Sequence, residues 1–380
     1  MLKILLSCFI TLTSLHAGAA EPYRIGLSLG LTGQYAAIVL HQAQGIKLWA
    51  KNVNGRGGLL GRPVELVIYD DTSDPATAAK LYEQLIHKDR VDFLLGPYST
   101  PITAAAAAVA AANGWPMLVT GGSADSLWEK GYKHIIGAYS PASQFQVGLF
   151  ELMLEAKISR IAVIHADDGF SISMADSAKT LANRYNLTIV HLESFRKGTV
   201  DLNGPLARAK AAKAEALLVE GHFDESINAR RALKTMKWTP RLFFASVGPA
   251  VDKFGDVLKG DAEDTFTSTM WESRLRYPSS QEFDKNYKRT WNMPPSYHAA
   301  MIYAGGQVLE SAAKSAGSLE RMQLAKTLQD MNSITIIGRY GVDATGKQLR
   351  QQSFIAQWRN GRREIVYPKT LATTAPVIHP

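Results

Sequence analysis

Cysteine is nearly missing from this 380-residue chain, and the single one, Cys8, falls within the first twenty residues. Beyond that point disulfides, thiolate nucleophiles and cysteine-based metal sites are excluded. Long apolar runs are equally scarce. After the N-terminal stretch no segment is apolar and long enough to cross a bilayer. Clusters of one charge sign are short. The formal charge is +8, yet its densest basic runs are only residues 359–363 and Arg230-Arg231. Scattered lysine and arginine describe a solvated surface rather than a nucleic-acid site, so no nucleic-acid partner is expected.

Catalytic signatures are missing too. There is no Gly-x-Ser-x-Gly elbow and no His-Glu-x-x-His pair. The stretch Gly341-Val342-Asp343-Ala344-Thr345-Gly346-Lys347 has the spacing of a phosphate loop, but Gln348 stands where a hydroxyl should meet magnesium. It reads as a surface turn. His165-Ala166-Asp167-Asp168 has no further convergent ligands and reads as a strand-end loop. The expectation is a protein that is not an enzyme and uses neither cofactor nor metal.

What is present begins with a leader. Lys3 supplies a basic start, residues 4–15 are apolar and uncharged, and Ala17-Gly18-Ala19-Ala20 precede Glu21. This is the pattern of a secretory signal peptide over residues 1–20, cleaved near Ala20. An exported chain without disulfides must be held by its core. With roughly 360 residues, two cores are expected rather than one.

From residue 21 the pattern is strand, helix, strand, helix. Strands are read at residues 24–28, 64–69, 91–95 and 116–120, with helices at 37–54, from Asp74-Pro75 to 87, and at 101–112. Asp74 is placed to cap its helix and Pro75 suits the first turn. The alternation restarts after residue 143, with strands at 160–165, 188–192, 216–220 and 242–245 and helices between them. Further helices follow at 281–290, 297–316 and 319–331, then a hairpin around Asn360-Gly361. Two βα series predict two doubly wound α/β lobes, joined by short crossings since no low-complexity linker intervenes.

Parallel sheets bind ligands at the carboxyl ends of their strands. Two such ends are unusual. Gly96-Pro97-Tyr98-Ser99-Thr100-Pro101 follows the third strand, and Thr120-Gly121-Gly122-Ser123-Ala124 follows the fourth and precedes another short helix. Each offers free N–H groups, a hydroxyl and the positive end of a helix, and the glycines let backbone approach a guest. Serine caps and glycine turns are also common in purely structural roles. Two converging helix tips predict an anion site.

Several blocks carry a family likeness. Ile25-Gly26 through Leu31-Thr32-Gly33-Gln34-Tyr35, Asn54-Gly55-Arg56-Gly57-Gly58-Leu59-Leu60-Gly61-Arg62, Asp70-Asp71-Thr72-Ser73-Asp74-Pro75 and Gly96-Pro97-Tyr98-Ser99 occur in this order. With residues 161–165 they resemble periplasmic binding proteins of the branched-chain amino acid (Leu/Ile/Val-binding) type, over nearly all of the chain past the leader. The resemblance implies a type I fold with three hinge crossings, near residues 137–140, 268–271 and 347–350. It divides the chain into lobe 1 (21–138 and 270–348) and lobe 2 (139–269 and the C-terminal hairpin and tail, 349–380).

It also implies a role: the periplasmic, monomeric binding component of an ABC importer, closing on a small carboxylate and meeting permease subunits. A ligand-sensing subunit on the same fold is the alternative. By resemblance the carboxylate is held by Ser99, with Thr100 beside it, by Ser123, and by backbone at Gly121. Tyr35 lines the first wall. Phe170 and His222, or its neighbour Phe223, close from the second lobe. Val247 lies in the loop Ser246-Val247-Gly248-Pro249, where amino acid binders of the family usually carry an acid for the ligand ammonium. Here Glu220 or Asp224 substitutes, or the ligand has no free amine. Phe170 and Trp271, the latter at a lobe crossing, would suit an apolar or aromatic body.

Overall fold

The computed structural model describes residues 20–380, so the expected leader lies outside the described residues but for Ala20. The first sheet joins β1 (Tyr23–Leu29), β2 (Val64–Asp70), β3 (Phe93–Leu95), β4 (Met117–Val119) and β5 (Ile135–Gly137). Its order is β2-β1-β3-β4-β5 and every pairing is parallel. Helices α1 (Ala36–Gly55), α2 (Pro75–His87) and α3 (Thr100–Ala112) connect these strands. In α1 the buried residues Ile38, Val39, Gln42, Ile46, Trp49 and Val53 repeat at helical spacing on one face. Asp74 caps α2, its carboxylate accepting from the Thr77 N–H at 2.7 Å.

The second series runs α4 (Val147–Glu155), β6 (Arg160–Ala166), α5 (Gly169–Tyr185), β7 (Thr188–Phe195), α6 (Asn203–Ala211), β8 (Ala216–Glu220), α7 (Phe223–Thr235), β9 (Leu242–Ala245), α8 (Asp252–Leu258) and β10 (Thr265–Thr269). Three helices, α9 (Ser280–Trp291), α10 (Tyr297–Ala316) and α11 (Arg321–Asp330), return to the first lobe, where α10 packs along α1. There Trp49 lies against Gly306, whose missing side chain makes the contact possible; a Cβ would sit 2.2 Å from the indole. A small antiparallel pair, β11 (Ser333–Thr335) and β12 (Gly338–Tyr340), follows.

The chain ends in the hairpin β13 (Phe354–Arg359) and β14 (Arg362–Tyr367), which adds antiparallel strands to the second sheet in the order β14-β13-β10-β9-β8-β6-β7. Asn360 (φ +54°) and Gly361 (φ +74°) form its two-residue turn, as a tight hairpin requires.

The chain passes between the sheets after β5, after β10 and before β13. The first and third of these passes are bonded to one another. The Ser140 N–H donates to the Gln351 side chain at 2.7 Å, and the Gly137 N–H donates to the Gly346 carbonyl at 2.8 Å.

Three features differ from the sequence reading. Strand β5 and the β11–β12 pair were not anticipated, being three residues each. The short helix expected after residue 124 is a single 3-10 turn, Asp125–Leu127, opened by an acid. One turn aligns too few peptides to carry a useful dipole. The first lobe therefore aims one helix tip, not two, at the cleft.

Candidate ligand site

Loop 96–99 rises from the end of β3 and turns into α3. Ser99 stands at the cap position with φ +73° and ψ 149°, a conformation costly for any residue with a side chain. Its hydroxyl does not cap α3. It is buried and has no hydrogen-bond partner among the described residues.

The neighbouring loop is locked to this one. The Ser99 N–H donates to the Gly121 carbonyl at 3.1 Å, and Thr100 Oγ1 accepts from the N–H groups of Ser123 (3.4 Å) and Ala124 (3.2 Å). The approach is so close that a Cβ on Gly121 would lie 2.1 Å from the Pro97 carbonyl oxygen.

The second lobe presents its own strand ends. After β6, Asp168 caps α5 by accepting from the N–H groups of Phe170 (3.0 Å) and Ser171 (3.3 Å), and the Phe170 ring packs between Phe145 and His222. After β8 comes His222, and after β9 comes Val247. Seven of the expected residues, Ser99, Thr100, Gly121, Ser123, Phe170, His222 and Val247, line one pocket.

Two expected residues do not line it. Tyr35 forms a layer against the lining, with its ring centroid 5.3 Å from those of Tyr98 and His222. Trp271 belongs elsewhere and is a correction. Its indole N–H donates to Ser280 Oγ at 2.8 Å, and the ring meets Phe283 edge-on, so it is consumed by the hinge and α9. Phe223, the alternative to His222, packs instead beside Phe254 and Trp358.

Six lining residues escaped the sequence reading: Tyr98, Tyr139, Phe145, Tyr297, His298 and Met301. Tyr98 was within reach, being next to Ser99 in a loop already singled out. Tyr297 and His298 open α10, which no strand precedes, so a search of strand ends passes over them.

The electrostatics are one-sided. No acid lines the cavity among the described residues. Asp224 is exposed at the start of α7, and Glu220 lies behind the lining with its pKa pushed up to about 8 by burial. Neither supplies a counter-charge. Asp168 is the acid behind His222, its Oδ2 3.4 Å from Nε2. Burial alone would raise its pKa; the contacts with His222, together with Lys197 and Ser171, hold it well below the usual carboxylate range. Its charge is thus shared with the cap and the imidazole. Burial keeps the phenols of Tyr98 and Tyr139 neutral.

Two α/β lobes, hinged by three passes and closing aromatic walls over a strand-end cavity, define a cleft-type small-molecule binding protein of type I architecture. Comparison with known sequences agrees. Residues 22–363 match the model of the family described as "Periplasmic binding protein", and the chain belongs to that family. It is similar to the Leu/Ile/Val-binding protein homolog 7 of Brucella suis, 24% identical with 96% of each chain covered.

Among solved structures it resembles the substrate-binding protein LivJ from Streptococcus pneumoniae in complex with isoleucine. The TM-score is 0.82 at 22% identity, covering 92% of this chain and 100% of that one. It is also similar to a solute-binding protein of an ABC transporter from R. palustris in complex with benzoate. There the TM-score is 0.82 at 18% identity, covering 94% of this chain and 99% of that one.

Proposed function

We propose that this chain is the extracytoplasmic substrate-binding component of an ABC importer and that it captures a small carboxylate without a free amine by closure of its two lobes. The observation that carries this reading is Ser99. A backbone held at φ +73° places a buried hydroxyl, with no partner among the described residues, at the tip of α3. Strain of this kind persists where the surroundings enforce it, and a carboxylate is the guest that a hydroxyl and the first N–H groups of a helix together fit.

The amine is excluded by cost. An ammonium in this cavity would be desolvated, and among the described residues no carboxylate lines it. The ring-rich lining, Tyr98, Tyr139, Phe145, Phe170 and Tyr297, suits an aromatic or branched apolar body. The benzoate complex of the R. palustris relative supports an aromatic acid.

In this reading lobe 1 comprises 21–138 and 270–348, and lobe 2 comprises 139–269 and 349–380. Residues 1–20 are the cleaved leader, and the loaded monomer meets permease subunits. The test is a thermal-shift panel of amino acids, aromatic acids, aliphatic acids and amides on the purified chain. A tight ligand raises the melting temperature by mass action. An acid without an amine is expected to give the largest rise. A rise confined to amino acids overturns the proposal.

A further inference from the structure

His298 is an unexplained polar group in a mostly aromatic wall. It lines the same cavity as Ser99, is 1% exposed, and neither ring nitrogen has a hydrogen-bond partner among the described residues. Its ring is fixed by packing: Tyr98 meets it edge-on at 5.5 Å between centroids, and Tyr297 lies over it at 3.9 Å. Tyr98 directly precedes Ser99, so the imidazole and the carboxylate-facing hydroxyl belong to one wall.

The ring nitrogens of the second buried imidazole, His222, also lack a hydrogen-bond partner among the described residues, but Asp168 stands 3.4 Å from its Nε2. No acid lies within ion-pair distance of His298 among the described residues. Burial drives its pKa well below the ordinary value of 6.5, assisted by His41, His222 and Arg363. The ring is therefore neutral and carries one donor and one acceptor. A buried donor and acceptor left unmade are expensive, so the position calls for a partner.

The chemistry of that partner is narrow. A second carboxylate would face the acceptor nitrogen as well as the donor, without a cation to balance it. An ammonium would have no counter-charge. A hydroxyl can satisfy either nitrogen, since it both donates and accepts. Resting on the carboxylate reading above, we propose that His298 is a specificity-determining residue that reads a hydroxyl on the ligand body, which makes the substrate class hydroxylated ring acids rather than plain hydrocarbon acids.

The experiment is calorimetric titration of the purified chain with benzoate, 3-hydroxybenzoate and 4-hydroxybenzoate, in wild type, His298→Phe and His298→Gln. One of the hydroxybenzoates is expected to bind wild type at least about tenfold tighter than benzoate. His298→Phe should bind benzoate and bring the hydroxybenzoates within about threefold of it, whereas His298→Gln, which keeps a donor and an acceptor, should retain the preference. His298→Met is the second apolar variant if the larger ring does not fit. Wild type binding all three acids equally overturns this inference and leaves the carboxylate reading standing. A preference that survives in His298→Phe or His298→Met does the same. Wild type binding none of the three overturns this inference, while the thermal-shift panel of aliphatic acids decides the carboxylate reading separately.

Discussion

The Lys197 ammonium of the second lobe lies 4.4 Å from the ring centroid of Tyr35 in the first, and also contacts its hydroxyl. The pair spans the cleft beside the cavity, where Tyr35 in turn packs on His222. The ammonium meets the hydroxyl end of the ring rather than its face, and a hydrogen bond of this kind is worth about 0.5–1.5 kcal/mol. Because the contact joins the lobes, that energy favours the closed form, and a ligand gains affinity from anything that favours the state it binds.

Lys197→Met should therefore weaken ligand binding by about 0.5–1 kcal/mol, through faster release, with little change in melting temperature of the free chain. Stopped-flow dissociation rates check it. An unchanged rate would mean that the pair does not help to hold the lobes together.

Ser99 should show stability and function in opposition. Ser99→Gly removes the penalty of φ +73° and is expected to raise stability by about 1 kcal/mol. It also removes the hydroxyl, and should weaken carboxylate binding by about 1–3 kcal/mol. Ser99→Ala loses the same affinity without the stability gain. Denaturant unfolding and calorimetry on both variants separate the two effects.

Trp271 offers the converse. Trp271→Phe keeps a ring against Phe283 but loses the hydrogen bond to Ser280. Stability should fall by about 1 kcal/mol, while ligand affinity stays unchanged. A large loss of affinity would return Trp271 to the binding site.

Glu220 predicts a pH effect. Its carboxyl ionises near 4.5 ordinarily and near 8 in the folded chain, because burial opposes the charge. Between those values the folded state holds more protons than the unfolded state, so stability falls as pH rises from about 4.5 to about 8. Glu220→Gln, which mimics the protonated acid beside Gln146, should be more stable than wild type at pH 8 and closer to it at pH 5. Melting curves at the two pH values measure this; equal differences at both would contradict the assigned proton.

The two βα series were legible because their determinants are local. The apolar spacing of α1, the Asp74-Pro75 start of α2 and the Asn360-Gly361 turn each act within a few residues. The Ser99 and Gly121 loops were legible because strand-end chemistry is a topological rule. Other features depend on partners distant in sequence. His298 lines the cavity because α10 returns to pack on α1, and Trp271 leaves it because Ser280 takes its N–H. The helix expected beyond residue 124 fails because Gly131, at φ +70°, follows within seven residues of its start and leaves too short a segment to sustain a helix.

The most direct measurement is calorimetric competition between benzoate and leucine for the wild-type chain. With a ring-lined cavity, an unpaired Ser99 hydroxyl and no facing carboxylate, benzoate should bind and leucine should fail to displace it at equal concentration. Leucine binding tightly while benzoate gives no heat would contradict the account.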